Sequence, residues 1–175
     1  MIITLSGLPG SGTTTIAKIV ASRLKLKVIS AGDTFREMAA EQNMTLSEFG
    51  KLAESNTEID QTIDQRQAQI AKEGDNLLVE GRLSGWMVEN ADLKIWLKTP
   101  IEVRCERIAK RDGIPLEQAM RETKEREKCE AVRYLEHYDI NIGNLEPYNL
   151  IIDSSKWDGN SIAEIVGCSI ELSAK

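Results

Sequence analysis

The run Gly7-Leu8-Pro9-Gly10-Ser11-Gly12-Thr13-Thr14-Thr15 has the residue types and spacing of a loop that binds nucleotide phosphate. Gly7, Gly10 and Gly12 permit turns closed to other residues, so that successive backbone N–H groups converge on an anion. Thr14 stands where the hydroxyl of such a loop meets Mg²⁺. One member departs from the pattern: the position after Gly12, normally Lys, is Thr13. The point charge that usually reaches the β- and γ-phosphates must then come from another cation. Six arginines lie between positions 104 and 133, and a segment that closes over the loop would deliver them.

Such a loop works only between a strand and a helix, because the helix N-terminus adds free N–H groups and the positive end of its dipole. The flanking sequence meets that demand. Residues 2–5 are a β-branched run, and 14–24 read as an amphipathic helix. Further strands are predicted at 27–30, ended by Ala31-Gly32, and at 76–80, 93–97 and 150–152. Helices are predicted at 34–41 and 46–72, broken near Asn43 and Asn56, and at 101–110 with Pro100 at its start. A long charged helical region over 115–137, with room for a break, and a helix over 162–170 capped by Ser161 complete the order.

Strands that are apolar without a period of two, alternating with helices, predict a parallel sheet covered on both faces. Ligands of such sheets bind beyond the carboxyl ends of the strands. Three motifs fall there: the phosphate loop, Ser30-Ala31-Gly32-Asp33 and Glu80-Gly81-Arg82.

At 175 residues and 41% hydrophobic content, the chain is expected to form a single domain over 1–175. A net charge of −6 argues against a nucleic-acid partner. The charge is uneven, since residues 101–133 carry nine Lys and Arg against eight Asp and Glu, while the remainder holds 13 against 20. That places the cations where a small anionic substrate would be clamped. Cys105, Cys129 and Cys168 form neither a zinc pattern nor a disulfide framework. Cys105 and Cys168 read as small buried apolar residues, and His137 as structural. With no leader pattern and no stretch near 18 apolar residues, a cytoplasmic protein without a membrane partner is expected.

Several of these motifs resemble those of nucleoside monophosphate kinases. Ser30-Ala31-Gly32-Asp33-Thr34-Phe35-Arg36 resembles the turn and helix that open their acceptor-binding segment, in which Arg36 matches the arginine that grips the acceptor phosphate. Arg107-Ile108-Ala109-Lys110-Arg111 is similar to the lid entry of the adenylate kinase superfamily, whose arginines contact ATP and its transferring phosphoryl. Glu80-Gly81-Arg82 resembles the Asp-Gly-Arg of cytidylate kinases, and Arg126-x3-Glu130-x2-Arg133 has the spacing of their Arg-x3-Asp-x2-Arg cluster for acceptor sugar and phosphates. The Gly-Ser-Gly-Thr-Thr-Thr loop is the variant that archaeal-type cytidylate kinases carry.

The resemblance implies a three-layer α/β/α fold of the P-loop kinases, with strand order 2-3-1-4-5, an acceptor-binding helical segment over about 33–73 and a lid over about 107–133. It implies a monomer that moves a phosphoryl group from ATP to CMP, with dCMP and UMP as further acceptors and Mg²⁺ held by Thr14, Glu80 ordering its waters. Arg107, Arg111, Arg126 and Arg133 then serve the transfer, and Arg36, Arg82 and Glu130 the acceptor. Two departures stand out. Leu83 follows Arg82 where bacterial cytidylate kinases have a base-contacting Asp, and the Asp-Asp lid pair of adenylate kinases is missing. Asp60 and Asp64, four apart on one helix face, are candidates to accept from the cytosine amino group; a solvated face explains them at least as well.

Other readings remain open to the sequence. A kinase of the shikimate or gluconate kind, with a hydroxyl acceptor, would use Asp33 as base. A nucleotide-binding switch without turnover would have no use for Arg36 and Arg82. Arg104, at helical spacing from Arg107 and Arg111 among Glu102 and Glu106, reads as a surface ion pair.

Overall fold

The computed structural model describes all residues except 45–47, 50, 51, 54, 55, 57, 174 and 175. Five strands, β1 (Ile2–Gly7), β2 (Lys27–Ser30), β3 (Leu77–Glu80), β4 (Leu93–Lys98) and β5 (Leu150–Asp153), pair in parallel in the order β2-β3-β1-β4-β5. Ile3 stands opposite Leu78 on one side and Leu93 on the other. Central β1 is buried along its whole length. The expected three-layer parallel fold and its strand order are what the structure shows.

Alternation along β1 sends Ile3 and Leu5 to one face of the sheet and Ile2 to the other. The first face packs against helices α1 (Thr13–Leu24) and α7 (Gly159–Ser173), through Ile16, Val20, Ile162 and Val166. The second face is covered by α3 (Glu58–Glu73) and the single-turn α4 (Ser84–Met87), with Ala71 and Val88 against Ile2, Leu77 and Val79. Full burial of a side chain such as Leu78 contributes about 1.5–3 kcal/mol over leaving it exposed. The remaining helices are α2 (Ala31–Glu41), α5 (Ile101–Asp112) and α6 (Leu116–Tyr138). Among the described residues, no helix is long and apolar enough to cross a membrane.

Local readings change in a few places. Helix α2 begins at Ala31, three residues earlier than expected, so Ala31-Gly32-Asp33 is its first turn. Of the predicted helix over 46–72, residues 48, 49, 52 and 53 are helical and an α-helix runs Glu58–Glu73; Asn56 Oδ1 accepts from the Glu58 N–H just before it, and Asn43, at φ +55°, ends the preceding segment. Residues 45–47 lie outside the description. Asn76, at φ +54°, precedes β3 rather than opening it. The long charged region is one unbroken helix. The last helix opens at Gly159, and its cap is the Asp158 carboxylate, which accepts from the N–H groups of Asn160 and Ser161, not the Ser161 hydroxyl. Cys105 is buried, but Cys168 is exposed, because α7 turns Ile162, Ala163 and Val166 inward and Cys168 away.

Candidate active site

The ends of β1, β2 and β3 border one cavity of about 1140 Å³, closed on its far side by α6. Gly10 (φ +82°) and Gly12 (φ +92°) shape the loop after β1. A Cβ on Gly10 would stand 2.5 Å from the Arg104 carbonyl oxygen, so the loop lies on α5 more closely than any side chain allows. Gly12 caps α1 with no side-chain hydrogen bond, which leaves the first-turn N–H groups of α1 for an anion.

Thr13 takes a defined role at the position of the missing lysine. Its hydroxyl donates to Glu80 Oε1 at 2.7 Å, while the Ser30 hydroxyl donates to Oε2 at 2.8 Å. Gln67 Nε2 donates to the Glu80 carbonyl at 2.9 Å. The buried Glu80 carboxylate is thus fixed by neutral hydroxyls from β2 and from the loop, with lone pairs left over. Thr14 also lines the cavity, and its hydroxyl makes no hydrogen bond among the described residues. No cluster of three or more His, Cys, Asp or Glu side chains could cage a metal among the described residues. A hard cation that keeps most of its waters and is held by one hydroxyl and substrate phosphates suits this donor set.

Arg82 lies just past β3 in the wall of the same cavity. Its Nε donates to Glu130 Oε2 at 2.8 Å and its Nη1 to the Gly7 carbonyl of the loop. Arg126 Nε donates to Glu130 Oε1 at 2.7 Å from the exposed side. Burial alone would raise the Glu130 pKa, but the two guanidinium groups outweigh it and hold the carboxyl below its ordinary range. Burial likewise works to lower the Arg82 pKa, and the Glu130 charge reverses the sign. One arginine therefore ties β3, the phosphate loop and α6 together. Arg36 lines the same cavity, paired with Asp33 one turn back on α2 and more than half exposed.

The remaining arginines divide into two groups. Arg111, Arg126 and Arg133 line the cavity; Arg107 does not appear in its wall. Arg107 donates from Nη2 to the Ser154 carbonyl at 2.8 Å and from Nη1 to the Ser11 carbonyl at 3.3 Å, behind the loop. Arg104 is a correction: it is not a surface residue but 4% exposed. Its Nε donates to the Thr99 carbonyl at 2.9 Å, and its Nη1 to the Pro9 carbonyl at 3.0 Å and to Glu127 of α6. Ser154, which the sequence reading passed over, donates to the Ser11 carbonyl at 2.7 Å and meets the Thr99 hydroxyl at 2.7 Å. Thr99 and Ser154 follow β4 and β5, so the same strand-end rule that found Arg82 would have found them.

On the far wall, Asp60 Oδ2 pairs with Arg133 Nη2 at 2.9 Å, and the Tyr138 hydroxyl donates to Asp64 Oδ2 at 3.1 Å. Both carboxyls line the cavity together with Ile63 and Tyr134, so this face of α3 is turned inward and is no solvated face. Burial raises the pKa of both, that of Asp64 to about 7.

Comparison with known proteins agrees with this geometry. A family model described as the cytidylate kinase-like family matches residues 2–156. The chain is 52% identical over 171 residues to a cytidylate kinase of Methanocella arvoryzae, covering 98% of this chain and 97% of that one. It is 50% identical over 176 residues to the cytidylate kinase of Methanospirillum hungatei, covering 100% and 99%, and 52% identical over 172 residues to that of Archaeoglobus fulgidus, covering 98% and 96%. Among solved structures, an uncharacterized protein of Eubacterium ventriosum superposes with a TM-score of 0.73 at 17% identity, and a shikimate kinase of Bacteroides thetaiotaomicron with 0.67 at 15%, each over 98% of both chains. At those identities the likeness is one of fold.

Proposed function

Because the chain belongs to the cytidylate kinase-like family, we propose that it is a nucleoside monophosphate kinase that transfers the γ-phosphoryl group of ATP to the phosphate of CMP. One observation in the structure supports this most directly: a single cavity joins the phosphate loop to the acceptor-side Arg82, and α6 supplies cations across from both. Residues 33–73 are read as the acceptor cover and 107–133 as the lid.

In the reaction the bond from the γ-phosphorus to the β–γ bridging oxygen breaks, and a bond from an acceptor phosphate oxygen to the same phosphorus forms, giving ADP and CDP. The acceptor is already an anion at neutral pH, so no general base is needed. Loop N–H groups and the α1 terminus hold the donor phosphates. Arg82 and Arg36 hold the acceptor phosphate in line. Arg111 and Arg126 close on the charge that spreads over the moving phosphoryl and exclude water. Thr14 would hold magnesium and Glu80 would orient its waters, and the ion would supply charge that offsets the phosphates. The acidic chain is read as a cytoplasmic monomer acting on free nucleotides.

The hydroxyl-kinase alternative has little support in the geometry. Asp33, its required base, is half exposed, engaged by Arg36 and outside the cavity wall. A coupled assay with Mg-ATP across CMP, dCMP, UMP, AMP, GMP and shikimate tests the reading. CMP is expected to be turned over best, with dCMP or UMP behind it; turnover of shikimate alone, or ATP binding with no acceptor used, overturns it.

Thr13→Lys is expected to lower the transfer rate by about tenfold or more, as for a hydrogen bond to a charged group lost from a fixed site. The new ammonium would draw the Glu80 carboxylate away from Ser30 and crowd oxygens already claimed by the arginines of α5 and α6. kcat at saturating ATP and CMP checks it, and a severalfold acceleration would show that the lysine was simply missing.

A further inference from the structure

Asp64 differs from Glu130 and Asp60 in the same cavity. Glu130 and Asp60 each have an arginine, whereas no Lys or Arg lies within salt-bridge distance of Asp64 among the described residues. Its hydrogen-bond partner is the neutral Tyr138 hydroxyl, which donates to Oδ2 and leaves Oδ1 without a hydrogen bond among the described residues, and the residue lines the cavity. The charged and titratable groups around it are Asp60 on its own helix, Tyr134 and Tyr138 on α6, and Arg133, Glu130, Arg126 and His137, which act on it through Asp60. Arg36 of α2 lines the same cavity. A half-buried carboxyl with a like charge one turn away and no cation is better placed to hold a proton than to lose it.

Resting on the CMP kinase reading, we propose that Asp64 reads the cytosine edge as a neutral carboxylic acid. That edge presents a ring-nitrogen acceptor beside an amino donor. A protonated carboxyl carries one O–H donor and one acceptor oxygen, so it satisfies both, whereas a carboxylate opposes its own lone pairs to the ring nitrogen. Tyr138 sets the polarity. Oδ2, already accepting its hydroxyl, keeps a second lone pair for the amino group, and the proton sits on Oδ1, facing the ring nitrogen. The chain thereby replaces the base contact that Leu83 does not make.

Burial is the main cause that brings the Asp64 carboxyl to about pH 7; the Asp60 charge adds to it and the Tyr138 bond opposes it. The sign follows. CMP affinity is complete below that pH and falls as pH rises through it, because the binding form is the protonated one. Stability of the free protein falls over a lower window: this contribution is complete below the ordinary value of 3.8, is lost as pH rises from there to about 7 because the folded state keeps a proton that the unfolded chain gives up, and is level above that.

The test is the KM for CMP from pH 5.5 to 8.5 at saturating Mg-ATP, for wild type, Asp64→Asn, Tyr138→Phe and His137→Gln, with melting temperatures of the free proteins over the same range. Asparagine keeps one donor and one acceptor but does not titrate, and dividing by its KM removes the titration of the acceptor phosphate. The wild-type to Asp64→Asn ratio is expected to stay level below about pH 6.5 and to climb toward about tenfold per pH unit above 7. Tyr138→Phe should move the climb to higher pH, and His137→Gln should leave it in place. The melting temperature of Asp64→Asn relative to wild type should rise from pH 5.5 to about 7 and then level off. Transfer to CMP with a level ratio, loss of CMP affinity in Asp64→Asn at every pH, or a melting margin that does not grow overturns this proposal alone. Absence of transfer to any monophosphate overturns it together with the function it rests on.

Discussion

Arg82→Ala is expected to lower kcat/KM for CMP by about 30- to 800-fold, the kinetic equivalent of about 2–4 kcal/mol for stripping a buried phosphate of a charged, forked partner. ATP affinity should move far less. The structure adds a complication that the sequence does not show: Arg82 also neutralises Glu130, which is 8% exposed, and holds the Gly7 carbonyl. Part of the loss would therefore come from a buried carboxylate left with only the exposed Arg126. The double variant Arg82→Ala, Glu130→Gln separates the two contributions. It should regain most of the lost melting temperature without regaining affinity for CMP. If the single variant binds CMP normally and is merely unstable, Arg82 is a brace and not an acceptor ligand.

Arg104→Ala is expected to destabilise the protein by about 3–5 kcal/mol, since it breaks a buried ion pair by removing one partner. At about 2–4 °C per kcal/mol for a chain of this size, that is a fall of about 6–20 °C in the melting temperature. Three groups lose their donor at once: the Thr99 carbonyl at the end of β4, the Pro9 carbonyl in the phosphate loop, and Glu127 on α6. Donor binding should weaken as well, because the loop carbonyl at Pro9 is what fixes the loop against α5. Arg104→Lys should restore little, as a single ammonium cannot reach three directions as a fork does. Thermal melts with and without Mg-ATP measure both effects, and a variant that melts within a degree or two of wild type would return Arg104 to the surface role its spacing suggests.

Arg82 and Arg104 do the same thing from opposite sides. Each guanidinium bonds a carbonyl of the phosphate loop and a carboxylate of α6, and the two carboxylates, Glu127 and Glu130, are three residues apart on one helix. The helix that carries Arg126 and Arg133 is thus coupled to the glycine loop after β1. The missing lysine fits the same picture. Its place is taken by Thr13, which orients Glu80, and the cations stand on α5 and α6, where Arg111 and Arg126 face the cavity.

What the sequence by itself determined is whatever depends on neighbours along the chain. Strand, glycine loop and helix follow from composition over about fifteen residues, and local patterns of the same kind give the parallel sheet and the placing of Glu80 and Arg82 at the end of β3. Only the tertiary structure decided which side chains meet across large separations. Arg104 recurs with Arg107 and Arg111 at a spacing that fits a surface row equally well; its burial follows from α5 packing between Pro9 and Glu127, 95 residues before it and 23 after. Asp64 reads the same on a wet face as on a cavity wall until Tyr138, 74 residues away, closes over it. Cys168 looks like core because its neighbours are apolar, but the rotation of α7 is set by which of its faces finds the sheet. Periodicity fixes a helix and the width of its apolar stripe; the direction in which a polar residue at the stripe's edge points is fixed by the element packed against it.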